Sequence, residues 1–477
     1  MRIIVIAISV FILMRGAVAA VAEDAANPRC LFSETAEQTA MRLAWWTHDR
    51  FGMFIHFGLY AIPARGEWCK MTETISEEKY DWYFRLFNPK LLDAHDWARR
   101  AKAAGMKYAV LTAKHHDGFC LWDSGFTEYK VTKTPFGRDV VREFVDAFRA
   151  EGIRIGLYYS LLDWHHPDFA IDNSHPRRPK TAKKWEFYGS SDLDYPELNK
   201  GRDMSRYRQY MKNQIRELLT NYGRIDILWM DFTYPGEHGK TCLDWDSEGL
   251  LRLVRSIQPH IIVNNRLGLC DTADGWDFVT PEQFKVCDWP TVRGEKVPWE
   301  ACQTFSGSWG YHRDEMTWKS DEELIGLLVH SVSKGGNLIM NVGPNARGEF
   351  DMRARRKLDV YARWMRLNGE SIYGCTQAPD RFKTPEGTLL TYNPAESRLF
   401  IHLMNYPGSA LVVDFGAEIS FARFLHDGSE IRFGRLNPQA GDGLYRHGGE
   451  GKCSFTLPAV KPDVDIPVVE VILKAHS

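Results

Sequence analysis

Asp231 closes the run Ile225-Asp226-Ile227-Leu228-Trp229-Met230-Asp231, in which apolar residues are interrupted by a single acid. Turn signals flank it, Asn221-Tyr222-Gly223 before and Pro235-Gly236 after, so the run has the form of a buried strand that ends in a carboxylate. The C-terminal mouth of a core strand is where an α/β barrel places its chemistry. One reaction that needs such an acid is the splitting of a glycosidic bond, and it needs two of them. One attacks or stabilises the anomeric carbon; the other protonates the departing oxygen and then deprotonates water. Glu300, which follows Trp299, and Glu282, in Thr280-Pro281-Glu282-Gln283, are the other acids near predicted strand ends. An isolated Asp or Glu is more often a salt-bridged or solvated carboxylate, so three of them strengthen the case for hydrolysis only modestly.

Histidines supply a second set, His56, His115 and His116. Adjacent His115 and His116 cannot both face into a barrel from a regular strand, so at least one belongs to the loop edge. With Asp117 the three could hold a metal, but no HExxH-like helical pair accompanies them. A neutral wall of imidazoles suits hydroxyl recognition equally well and ranks above metal binding, with satisfied core histidines between the two; neither a metal nor an organic cofactor is expected. Arg266 ends Val263-Asn264-Asn265-Arg266 after a further predicted strand. It suits an ion pair with a neighbouring acid, or a donor that holds a ring hydroxyl or steadies a carboxylate. Trp68, Trp229 and Tyr159 serve equally as packing or as platforms for a sugar's C-H face. Residue type and spacing lead to a polyol-binding barrel hydrolase and no further.

The elements that must position these groups alternate. Strand-like runs over residues 50–58, 108–113, 153–160, 225–231 and 260–266 are separated by helical patterns over 94–104, 138–151, 204–221 and 246–257. Weaker strand candidates cover 277–282, 299–305 and 337–342, with a helix at 321–333 before the last. This alternation predicts an α/β fold with a parallel sheet, a (β/α)8-like TIM barrel. A polar insertion over 161–201 interrupts it. After a helix at 351–366 and a linker near 371–378 come short strand-like runs with Gly and Asp turns, which predict a small antiparallel β-sandwich domain. The expected divisions are 1–22, 23–374 for the barrel and 375–477 for the sandwich.

With 44% hydrophobic residues in 477, the chain can fill such a core. A net charge of -2 argues against a nucleic-acid or anionic-membrane partner, which would call for a basic excess. Arg2, the apolar run 3–14 and the small residues from Ala17 to Ala22 form an export signal, with cleavage leaving a mature start near Glu23. The apolar run is too short to span a bilayer comfortably. The expected location is secreted or periplasmic, or a lysosomal-type compartment in a eukaryote, with no membrane association after the leader is removed. Nine cysteines without CxxC spacing make neither a disulfide scaffold nor a thiolate zinc site, though one or two bridges are compatible with export. Oligomeric state is left open, including a homo-oligomer.

Seven segments occur together and in order: FGMFIHFGLYAIPARGEW, KHHDGFCLWDS, GLYYS, DILWMD, VNNR, WEACQTFSGSWGY and GGNLIMNVGP. On these the chain resembles the α-L-fucosidases of glycoside hydrolase family 29 from about Trp45 to Tyr373. The resemblance implies a retaining hydrolase of terminal α-L-fucosyl residues on oligosaccharides or glycoconjugates, acting through a covalent fucosyl-enzyme. It makes Asp231 the nucleophile and matches Glu300 to the acid/base, with Glu282 as the fallback. By the same matching His56, Glu67, Trp68, His115, His116, Tyr159, Trp229 and Arg266 form the fucose-binding shell. The chain departs from the family in carrying Phe232 after the nucleophile, where a small residue is common, and in the 161–201 insertion. The rival readings are a barrel glycosidase of another specificity, such as α-galactoside cleavage, and a fucose-binding lectin-like protein without turnover.

Overall fold

Strands buried on both faces alternate with helices buried on one, and in this chain the parallel sheet curls until its edges meet. The computed structural model describes residues 34–178, 195–235, 239–269, 275–436 and 452–474. The expected leader lies outside the described residues, as do Cys30, Cys270 and the middle of the 161–201 insertion. Among the described residues no helix is long and apolar enough to cross a membrane.

The barrel strands are β1 (Phe51–Ile55), β2 (Tyr108–Lys114), β3 (Arg154–Ser160), β4 (Ile227–Asp231) and β5 (Ile262–Val263). After a small hairpin, β6 (Thr291–Val292) and β7 (Glu295–Lys296), come β8 (Glu300–Thr304) and β9 (Asn337–Val342). Seven of these run parallel in the order β5-β4-β3-β2-β1-β9-β8. The open edges, β5 and β8, are joined by residues 277–283. Asp277 N–H donates to Val263 O at 2.7 Å on one side, and Glu300 N–H to Val279 O at 2.9 Å on the other. Parallel bridges Asn264 to Phe278, Val279 to Trp299 and Glu282 to Cys302 complete an eighth staggered strand, so the barrel is closed.

Helices ring the outside. Val140–Ala150 buries Val140, Val141, Phe144, Val145 and Phe148 on one stripe, and Asp139 caps it by accepting the Arg142 N–H. Asp321–Ser333 starts with a capping box between Ser320 and Glu323. Inside the barrel, Tyr108, Val110, Tyr158, Ile227, Trp229, Ile262, Phe278, Cys302 and Ile339 pack with Phe54. Leu43 and Trp46, from the helix Ala36–Asp49, belong to the same cluster and plug its lower mouth. Inward positions on β2, β3, β4 and β8 are therefore the even-numbered or odd-numbered sets that contain Tyr108, Tyr158, Trp229 and Cys302, a parity that decides which side chains can reach a ligand.

The downstream region is a β-sandwich. One sheet takes the order β10 (Thr376–Gln377), β11 (Thr388–Asn393), β12 (Arg398–Leu403), β17 (Val468–Leu473) and β14 (Ile419–Phe424). The other is β13 (Ala410–Val413), β16 (Cys453–Thr456) and β15 (Phe433–Arg435). Leu390, Ile401 and Val469 of the first meet Leu411 and Phe455 of the second in one core. Among the described residues Cys69, Cys120, Cys242, Cys287, Cys302, Cys375 and Cys453 form no disulfide.

Candidate active site

Asp231 stands at the C-terminal end of β4, in register with Ser160 at the end of β3. Its two oxygens have separate donors. The Tyr158 hydroxyl donates to Oδ2 at 2.7 Å and Arg266 Nη1 to Oδ1 at 2.9 Å. Burial, and then Asp231 itself, push the Tyr158 phenol far above its ordinary pKa, so it remains a donor. Phe232 follows with φ +78°, a left-handed conformation that an aromatic residue adopts only under constraint; the chain turns sharply as soon as the carboxylate has been delivered.

Arg266 links the two candidate acids. Nη1 holds Asp231, Nη2 donates to Glu282 Oε2 at 2.7 Å, and Nε donates to Thr280 Oγ1 at 2.8 Å. The guanidinium lies 4.5 Å above the Trp229 ring. Burial alone would lower its pKa, but Asp231, Cys302 and Glu282 more than offset that and hold it above the ordinary arginine value. Glu282 keeps 39% of its side chain exposed, so one face of it is free toward the mouth. These groups line a cavity of about 360 Å³ together with Phe54, His56, Trp68, His115, His116, Tyr158, Trp229, Phe232 and Trp309.

Burial favours the neutral form of all three histidines, and for His56 and His116 hydrogen bonds fix which nitrogen carries the proton. Asn341 spends its amide N–H on Trp309 O at 2.6 Å, so its amide oxygen accepts from His56 Nδ1–H, also at 2.6 Å. Ser160 spends its hydroxyl on Leu162 O at 2.8 Å, so Ser160 Oγ accepts from His116 Nδ1–H at 2.7 Å. Both rings are left with Nε2 as an acceptor, and that of His116 lies 3.9 Å from Asp231 Oδ2. Burial pushes His56 and His116 down to about 3, and His115 well below its ordinary value. His115 stacks on Tyr158 with ring centroids 5.6 Å apart. Such rings can accept hydroxyl protons without placing a cation beside Asp231. Among the described residues no three His, Cys, Asp or Glu side chains are grouped to hold a metal.

Three expected residues are placed elsewhere. Glu300 begins β8 instead of ending it and is fully buried at the barrel floor. Its carboxyl accepts the Tyr108 hydroxyl, and the indole nitrogens of Trp46 and Trp229 approach it without closing regular hydrogen bonds. It does not meet Asp231, and the fallback Glu282 does so through Arg266. Tyr159 has the wrong parity: it points out of the barrel, its hydroxyl donating to Gln214 Oε1 at 2.8 Å, and Tyr158 faces the pocket. Glu67 is buried behind the wall, where Oε2 accepts Gly310 N–H at 2.8 Å and so anchors the loop that carries Trp309. Tyr158, Asn341 and Trp309 were not singled out from sequence. Each lies within a quoted segment, GLYYS, NLIMNV or GSWGY, and strand parity alone would have favoured Tyr158 over Tyr159 once Ser160 was aligned with Asp231.

Against known proteins, residues 18–370 match the family model described as Alpha-L-fucosidase. Human plasma alpha-L-fucosidase is 32% identical over 394 residues, covering 77% of each chain. Alpha-L-fucosidase isoenzyme 1 from Paenibacillus thiaminolyticus superposes with a TM-score of 0.81 at 41% identity, over 92% of this chain and 100% of that one. A family 29 alpha-L-fucosidase from Bacteroides thetaiotaomicron, solved as a trapped covalent intermediate with 2-fluoro-fucosyl fluoride, gives a TM-score of 0.75 at 26% identity, covering 91% and 96%. A closed barrel with a carboxylate pair at its rim, a sandwich behind it and a family match over most of its length leave one assignment: the chain belongs to the α-L-fucosidase family, glycoside hydrolase family 29.

Proposed function

We propose that this protein is an exported, retaining α-L-fucosidase that removes terminal α-L-fucosyl residues from glycans, with Asp231 as nucleophile and Glu282 as acid/base. The observation that carries the reading is the single guanidinium of Arg266 shared by both carboxylates above the Trp229 face. In the first step an Asp231 oxygen bonds to the anomeric carbon while the bond to the leaving oxygen breaks and Glu282 gives that oxygen its proton. In the second, Glu282 takes a proton from water, the water oxygen bonds to the anomeric carbon, and Asp231 is released. Arg266 steadies the charge that moves between the acids, and Tyr158 holds Asp231 at its angle of attack. His56, His115 and His116 accept ring hydroxyls, and Trp68, Trp229 and Trp309 bound the sugar's apolar faces. The covalent intermediate named for the Bacteroides relative supports the two-step reading.

The division into a catalytic unit over 23–374 and a sandwich over 375–477, and export through residues 1–22, belong to the same proposal. An aryl glycoside panel with NMR of the first-formed sugar tests it. The L-fucoside should be the only good substrate and α-L-fucose the first product. Initial release of β-L-fucose, or equal turnover of an α-galactoside, would overturn it. For export, the N-terminus of the protein recovered outside the cytoplasm should lie near Glu23.

A further inference from the structure

Lys114, the first residue of the segment KHHDGFCLWDS, has no role in the chemistry above, yet it is fully buried at the end of β2, two positions before His116. Its ammonium donates to Asp163 Oδ2 at 2.8 Å and to the Tyr207 hydroxyl at 3.4 Å, and sits 4.4 Å over the ring of Tyr159. Asp163, also buried, accepts the backbone N–H groups of His165 and His166 on Oδ1, at 3.0 and 2.8 Å. One ion pair therefore ties the end of β2, where its loop begins, to the loop after β3. The same two loops meet again at His116: its carbonyl accepts Trp164 N–H at 2.8 Å, its Nδ1–H goes to Ser160, and the Trp164 ring packs 5.5 Å from its own. Gly118, with φ +80°, leaves room for this, since a Cβ there would come within 2.3 Å of Asp163 Oδ1.

We propose that Lys114 and Asp163 are positioning residues, a buried brace that aims His116 at the sugar beside Asp231 without touching substrate themselves. The inference rests on the fucosidase reading. It also accounts for Tyr159, whose ring faces the ammonium instead of the pocket. A second consequence is electrostatic. The charged or titratable groups around His116 are Lys114 on its own strand end, Arg266 from beyond β5, Asp231 from β4, neutral His115 beside it and neutral His56 from the end of β1. After burial, Lys114 is the strongest influence keeping that ring unprotonated. A protonated His116 would pair with Asp231 and lose its acceptor nitrogen.

Lys114→Met removes the cation and leaves Asp163 unopposed, so His116 should gain a proton more readily. The acid limb of kcat/KM for an aryl L-fucoside should then move to higher pH, with a loss on the order of tenfold at the acid end. Asp163→Asn slackens the brace but keeps the cation: kcat/KM should fall on the order of tenfold from misplacement, with the acid limb unmoved or moved to lower pH. A folded Lys114→Met protein with the wild-type acid limb overturns the proposal. If Lys114→Met does not fold, Asp163→Asn decides: an upward shift of its acid limb, or a loss below about twofold, overturns it. Failure of the unmodified protein to cleave the fucoside would instead sink the fucosidase reading. A wild-type enzyme that cleaves it, beside braceless variants with unchanged profiles, sinks the brace alone.

Discussion

The two ends of the barrel each hold an acid, Glu282 at the rim and Glu300 at the floor, in opposite surroundings. At the rim, Glu282 is partly exposed, shares a guanidinium with Asp231 and borders open volume. At the floor, Glu300 lies two residues along β8 below Cys302, the partner of Glu282, which places it about 7 Å deeper. There Tyr108 satisfies one oxygen, Asn337 donates from its amide to Trp46 O at 2.8 Å, and the helix Ala36–Asp49 closes the way out. Aromatic rings border both places, Tyr108, Trp46 and Trp229 at Glu300 and the rings of the pocket that Glu282 helps to line. On the proposed reading, what separates a catalytic acid from an architectural one is unfilled space beside the carboxyl and a second charged group within reach of the same bond.

Removing carboxylates from the rim should break this contrast most strongly. Asp231→Ala or Asp231→Gly should cut turnover of an activated aryl fucoside by roughly 10³-fold or more, with partial rescue by azide or formate, measured as fucosyl azide or fucosyl formate. Near-normal activity would remove Asp231 from the mechanism. Glu282→Ala should cost about 10²- to 10³-fold on a fucosylated oligosaccharide but much less on an aryl fucoside with a good leaving group, because only the oligosaccharide needs the proton. An equal loss on both would move the acid role elsewhere. Arg266→Met should lower kcat on the order of 10²-fold for either substrate, since it unties both acids at once. A change confined to KM would make Arg266 a binding group only.

The same contrast explains how much was legible from sequence. The barrel followed from alternation, because buried parallel strands and one-faced helices leave different periods, and the sandwich from short strand-like runs separated by Gly and Asp turns. Asp231 was legible because it ends an apolar run, and direction along the strand is written in the order of residues. Glu300 opens its run, Glu-Ala-Cys-Gln-Thr, and by that criterion belongs to the floor, where the structure has it; motif likeness carried no information on strand direction. Glu282 sits on the one barrel strand held by isolated bridges and interrupted by Pro281, too irregular for a periodicity reading to mark its end. Tyr158 and Tyr159 are adjacent and chemically identical, so only register could choose between them. Phe232 was visible as an oddity in sequence, but its left-handed backbone was not.

The floor acid offers the smallest effect on activity and the sharpest test of the comparison. Glu300→Gln preserves shape and can still accept the Tyr108 hydroxyl, so kcat/KM should stay within about threefold of wild type. Glu300→Ala should instead cost stability, roughly 2–4 kcal/mol in denaturant unfolding, by leaving a cavity and stranding the Tyr108 hydroxyl. Burial pushes the Glu300 carboxyl up to about 7, above its unfolded value of 4.5. Between those values the folded chain holds a proton that the unfolded chain has released. Its contribution to stability is therefore greatest below the unfolded value and declines as pH rises toward neutrality. Glu300→Gln has no such proton to lose, and its stability should fall less across that window than that of the wild type. Parallel slopes would mean that Glu300 is ionised in the fold, a buried charge at the floor that the Tyr108 hydroxyl and the Trp46 and Trp229 indoles do not balance.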